Sequence, residues 1–168
     1  LSNVVEAYTP DTVAPPAINT LQVEKVLPSS VALRWISPGD DERHPAPQRY
    51  DIRYSETPLN EQTWTAARRF DESPPPSEEG EQERALLTEL RENREYYIGI
   101  KTIDADGNVS PLSNIVHVYT APEAVTNLEI LDFSGQSVTL TWTTPGGNLE
   151  QERRYDIRYA TAMITETN

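Results

Sequence analysis

The feature that most restricts this chain is that it repeats itself out of frame with its own ends. Leu1-Ser2-Asn3-Val4-Val5 returns as Leu112-Ser113-Asn114-Ile115-Val116, each followed by Tyr-Thr, at Tyr8-Thr9 and Tyr119-Thr120. Tyr50-Asp51-Ile52-Arg53-Tyr54 returns intact as Tyr155-Asp156-Ile157-Arg158-Tyr159. Trp35 with Pro38-Gly39 matches Trp142 with Pro145-Gly146. A unit of about 105 residues therefore recurs, which is the size of a small β-sandwich module. The chain opens near the end of one unit, runs through a second and stops partway into a third. The expected division is residues 1–13 as a last strand plus linker, 14–120 as one complete unit, and 121–168 as the first part of another. Such a frame is expected of an internal piece of a longer tandem array.

Alternation identifies strands, because successive side chains on a strand face opposite sides. Val31, Leu33 and Trp35 share a face, as do Tyr50, Ile52 and Tyr54, and Tyr96, Ile98 and Ile100. Val116 and Val118 flank His117, and Val138, Leu140 and Trp142 alternate with threonines. Weaker strands are predicted at 21–26, 63–70 and 84–87. Pro28-Ser29-Ser30, Pro38-Gly39-Asp40-Asp41 and Asp104-Ala105-Asp106-Gly107-Asn108 supply turns, the last with positive φ expected at Gly107 and Asn108. No helical stripe competes. The predicted fold is all-β, a seven-stranded antiparallel sandwich of two sheets.

The complete unit resembles a fibronectin type III module. The resemblance is carried by Trp35 on the second strand, Tyr50-x-Ile52-x-Tyr54 on the third, and Leu90 six residues before Tyr96. It implies a tyrosine corner at Tyr96, a bond from its hydroxyl back to the chain ahead of its strand. The pattern is similar to modules of bacterial secreted and surface proteins. From Trp35 to Tyr54 it also resembles a module of calcium-activated chloride channel regulator proteins. By the resemblance, Trp35, Tyr50, Ile52, Leu90 and Tyr96 form the structural core of the complete unit, and Trp142 and Tyr155 that of the next.

Composition bears on function by exclusion. With 14 Lys+Arg against 27 Asp+Glu the formal charge is −13, the wrong sign for a phosphate-neutralising stripe or for an anionic membrane surface. No apolar run is long enough to span a bilayer. Cysteine is absent, so disulfides, thiolate metal sites and thiol catalysis are excluded. His44 and His117 are the two histidines, far apart and without nearby partners in sequence, so they are read as solvated side chains. No phosphate-binding glycine loop or nucleophile elbow is present. No cofactor and no catalysis are expected.

The sharpest candidate site is one pole, where Asp40, Asp41 and Glu42 should meet Asp104, Asp106 and the incoming Asp11. Converging carboxylates suit Ca²⁺, which takes 6–8 oxygen ligands. Against this, Asp104 to Asn108 departs from the calcium-loop pattern, and Gly147 and Asn148 replace Asp40 and Asp41 in the next unit. Trp64, expected on a strand, is a candidate for carbohydrate stacking or for packing at the sheet edge. The Arg-Gly-Asp tripeptide is absent, and Asn108-Val109-Ser110 is a glycosylation sequon followed by Pro111. Residues 71–83, with three prolines and no apolar anchor, are expected to be a mobile, solvated crossover. Residues 9–17 and 120–124 read as linkers. The expected function is a non-catalytic extracellular or cell-surface spacer whose partners are neighbouring modules. The alternatives are an adhesion module for a protein or polysaccharide, or an accessory region of an extracellular hydrolase.

Overall fold

The computed structural model describes residues 11–40, 46–145, 154–162 and 164. Seven strands build two antiparallel sheets over residues 22–119. They are β1 (Gln22–Val26), β2 (Val31–Ile36), β3 (Arg49–Ser55), β4 (Arg68–Phe70), β5 (Gln82–Leu87), β6 (Glu95–Ile103) and β7 (Val116–Tyr119). One sheet has the order β1-β2-β5 and the other β4-β3-β6-β7. The strands read from alternation lie where expected. The stretch 63–70 differs: it opens as a 3₁₀ turn, Trp64–Ala66, and only Arg68–Phe70 pairs with β3.

The core is the space between the sheets. Val31, Leu33 and Trp35 face Tyr50, Ile52, Ile98 and Ile100, and all seven are at most 2% exposed. Trp35 meets Tyr50 edge to face at 5.0 Å and 88°, a geometry that places the ring edge on the partner's π face. Leu90 and Tyr96 close the far end of the same cluster. Tyr96 makes the corner: its hydroxyl accepts the Arg91 N–H at 3.0 Å. Burial pushes the Tyr50 hydroxyl pKa up to about 12, with help from the Glu83 carboxylate that accepts its hydrogen bond at 3.3 Å.

Part of the outer face of the larger sheet is also covered. Gly99 sits there because a Cβ would lie 2.8 Å from Ile115 and 3.0 Å from Leu112, which pack across it. The motif Leu112-Ser113-Asn114 is explained by the same segment. Ser113 Oγ accepts the Ile100 N–H, and Asn114 holds Leu21 by both its side-chain oxygen and nitrogen. That side chain does the work of a strand pairing between the last segment and the first.

The second half of the 71–83 crossover is tied to β2 and β5. Ser37 donates from its N–H to the Glu81 carbonyl and accepts the Gly80 N–H on its own carbonyl. Its hydroxyl donates to the Ser77 carbonyl at 2.9 Å. Glu83, buried at the start of β5, accepts the Ser77 N–H at 2.6 Å. Polar contacts replace the apolar anchor that the sequence lacks.

Beyond β7, strands β8 (Glu129–Ser134) and β9 (Ser137–Thr141) form a separate hairpin. Its register copies β1 and β2. Ile130 opposes Leu140 and Asp132 opposes Thr139, with the bulge between, as Val23 opposes Leu33 and Lys25 opposes Ala32. Trp142 meets Tyr155 edge to face at 5.2 Å and 70°. Trp142 is half-buried and Tyr155 is 41% exposed. Val138 is 58% exposed where Val31 is fully buried, and Ile157 is 60% exposed where Ile52 is fully buried. The physical reason is that the described residues place no second sheet over them.

The two tryptophans should therefore differ in worth. Trp35→Ala should cost roughly 3–5 kcal/mol, the usual penalty for emptying a large core site, and Trp142→Ala no more than about 1 kcal/mol. Urea unfolding of the two variants measures both. Equal losses would mean that Trp142 shares a core.

Candidate functional site

β6 ends at one pole of the sandwich, and the incoming chain arrives beside it. There Asp104, 1% exposed, closes the turn after β6. Its carboxylate accepts the Asn108 N–H at 2.8 Å and the Asn108 side-chain amide at 2.7 Å. The second amide hydrogen of Asn108 goes to the Asp11 carbonyl at 3.1 Å, tying the entry segment to the turn. Gly107 takes φ +92, a conformation open to a residue without Cβ. Asn108 does not share it; its contribution is the side chain. Burial pushes the Asp104 carboxyl up, but hydrogen bonds from the Asn108 side chain and from the N–H groups of Asn108, Gly107 and Asp106 outweigh it. The carboxyl is held below the usual range.

Asp104 is thus engaged as a turn acceptor. Asp106 is exposed and Asp40 half-buried. Asp41, Glu42 and His44 lie outside the described residues. Among the described residues no three His, Asp or Glu side chains gather as a metal site. The sequon is likewise built into the fold. Both Asn108 amide hydrogens are engaged, and Ser110 Oγ accepts the Thr102 N–H and donates to the Pro111 carbonyl.

Trp64 is not a stacking platform. It is 6% exposed, with the Arg53 guanidinium 5.1 Å and the Lys101 ammonium 5.4 Å from its ring centre. Arg53 also donates to the Trp64 carbonyl and pairs with Asp51 at 3.0 Å, and Lys101 pairs with Glu61 at 2.6 Å. Asp51 lies on the outward face of β3 and is nonetheless buried, because Arg53 and Arg69 cover it. Buried charge persists where it is paired and hydrogen-bonded. A Trp flanked by two threonines shows no sign of this cage in sequence. The spacing Asp51-x-Arg53 does, since alternate residues share a strand face.

His117 is exposed, as expected of a solvated side chain, but it is not without partners. Its Nε2 lies 2.6 Å from Glu95 Oε1, the same oxygen that accepts the Tyr97 hydroxyl at 3.0 Å. Its ring stacks on Tyr97 at 4.5 Å and 7°, and Tyr119 approaches its edge at 6.4 Å. The register of β6 with β7 produces this, since Tyr97 directly opposes His117. At the opposite pole a groove of about 440 Å³ lies between Pro28, Ser29, Leu90, Arg94 and Glu123.

Two sheets of three and four strands, closed over a Trp–Tyr pair and ended by a tyrosine corner, define an immunoglobulin-like sandwich module. The fibronectin type III domain family matches residues 14–119. The chain belongs to that family. No curated protein matches it. Among solved structures, the sixth fibronectin type III domain of a human fibronectin type III domain containing protein 3 is 14% identical, with 70% of this chain and 95% of that one covered and a TM-score of 0.49. The FN1-FN3 domains of chicken CNTN1 are 21% identical, with a TM-score of 0.48; the match covers 64% of this chain and 33% of that one. A structure described as a myokine is 18% identical over 64% of this chain and 99% of its own, with a TM-score of 0.43.

The Asp104 turn has a pH signature. Its folded-state pKa is depressed, so its contribution is complete above the unfolded value of about 3.9 and is lost as pH falls through the folded one. Asn108→Ala should cost about 1–3 kcal/mol at neutral pH, and less at an acid pH below the folded-state pKa of Asp104, where its carboxyl is protonated. Urea midpoints at the two pH values measure this. An equal cost at both would mean that the amide holds the turn without the charge.

Proposed function

We propose that residues 14–120 are a non-catalytic spacer and presentation module within an array of like modules, in a larger secreted or surface protein. The observation that carries the reading is the path of the chain. It enters beside the Asp104 turn, where Asn108 holds Asp11, and leaves beside Arg91–Arg94, where Thr120 pairs with Arg94. These are opposite ends of the strands, so modules joined in this way add length.

The segment from residue 121 supports the array reading. It repeats the register and bulge of β1 with β2, the edge-to-face Trp–Tyr contact, and the Asp-x-Arg pair, with Arg158 at 2.6 Å from Asp156. We read it as the first three strands of a further module, whose exposed Val138 and Ile157 are its inward face. No helix among the described residues is long and apolar enough to cross a membrane. The Tyr97–His117–Tyr119 patch favours a second reading, an adhesion module for a protein or polysaccharide, because Tyr119 is 53% exposed and aromatic faces are where such ligands rest.

Tandem copies of residues 14–120 test the spacer directly, because Ala14-Pro15 follows Thr120 there as Ala121-Pro122 does here. In small-angle scattering of one, two and three copies, the longest dimension should rise nearly linearly with copy number. A dimension that barely grows would favour the compact interaction unit. Calorimetry with Ca²⁺ should give no micromolar binding, and binding abolished by Asp104→Ala would replace the passive spacer with a calcium-stiffened one.

A further inference from the structure

The exit from the module is held well past the last strand. The β6–β7 ladder ends at Glu95 opposite Tyr119, but pairing continues: the Thr120 N–H donates to the Arg94 carbonyl at 2.8 Å. Thr120 is 2% exposed. Its hydroxyl accepts the Arg94 N–H at 2.9 Å and donates to the Arg91 carbonyl at 2.7 Å. Only a hydroxyl gives and takes at a single atom in this way among small side chains, so Thr or Ser fits there and the isosteric Val does not.

The following residues are caught by the same loop. The Ala121 carbonyl accepts the Asn93 N–H at 3.4 Å, and the Glu123 N–H donates to the Glu92 carboxylate at 2.7 Å. Asn93 stands at φ +50, a conformation Asn tolerates better than most residues. Leu90, buried below this loop, donates its N–H to the Ser29 carbonyl and so joins the loop to the turn between β1 and β2. Glu123 thereby becomes one wall of the 440 Å³ groove at this pole.

We propose that the loop Arg91–Arg94 is a docking surface for the chain's own residues 120–123, and that this clamp fixes the direction in which the next module leaves. The inference rests on the spacer reading and deepens it, placing the hinge after Glu123 instead of at Thr120. Val125 corresponds to Ile18, the first residue of the complete module's core cluster. Ala124 alone therefore separates the clamped stretch from the start of the next module, and so short a free link leaves little angular freedom. Tyr8-Thr9 stands seven residues after Leu1, as Tyr119-Thr120 stands after Leu112, so the same clamp is expected where the preceding module ends.

Backbone ¹⁵N relaxation of the 168-residue chain tests the clamp. Order parameters at Ala121 and Glu123 should lie near about 0.85, as in β7, and fall below about 0.6 in Thr120→Val. Thr120→Ser should restore them. Glu92→Ala, which leaves the core cluster untouched, should lower order at Glu123 and spare Ala121. Mobile residues 121–123 in the unaltered chain, or order unchanged in both Thr120→Val and Glu92→Ala, would overturn the clamp. Neither result touches the spacer reading, which stands or falls on how scattering dimensions grow with copy number.

Discussion

The structure depends on one closure, the packing of β1-β2-β5 against β4-β3-β6-β7 with Trp35 between them. Without cysteine the sheets have no covalent tie, and their contact is maintained by apolar area and by the edge-to-face meeting of Trp35 with Tyr50. Burying a tryptophan removes about 150–250 Å² from water, several kcal/mol at about 25 cal/mol per Å². Whole domains retain only about 5–15 kcal/mol. A residue of that weight decides whether the module exists. The hairpin β8–β9 shows the converse: the same register and the same aromatic pair, left open, leave Val138 and Ile157 more than half exposed.

Around the closed core, polar side chains take over where strands stop. Asn114 joins the last segment to the first, Asn108 joins the entry segment to the Asp104 turn, and Thr120 joins the exit to the Arg91–Arg94 loop. Each replaces backbone pairing that a strand end cannot make. Together they make both chain ends part of the module's surface, which is what a spacer that transmits direction requires. The acidic surplus does not gather into a site among the described residues. It is dispersed over turn acceptors such as Asp104, ion pairs such as Asp51 with Arg53, and exposed loop residues.

Much of the fold was legible because period-two alternation is a strong signal over β2, β3 and β6. Leu90 with Tyr96 carried the corner, and their spacing survives in the bond from Arg91 to the Tyr96 hydroxyl. What escaped depends on contacts between segments far apart in sequence. Trp64 gave no hint of its Arg53 and Lys101 cover, since those residues reach it from β3 and β6. The 71–83 crossover looks free because Ser37 and Glu83, which fasten it, lie outside it or at its end. His117 acquired Glu95 and Tyr97 only through strand register. The sequence places Asn108 in the turn, but its use as a bridge to Asp11 needs the entry segment in place.

Amide hydrogen exchange on the 168-residue chain tests the central claim most directly, that two closed sheets and not the strands themselves confer stability. Amides of β2, β3 and β6 should exchange only through global unfolding, with one shared protection. Those of β8 and β9 should exchange orders of magnitude faster despite the same pairing register. Protection of β8 and β9 equal to that of β2 in a proven monomer would contradict the account.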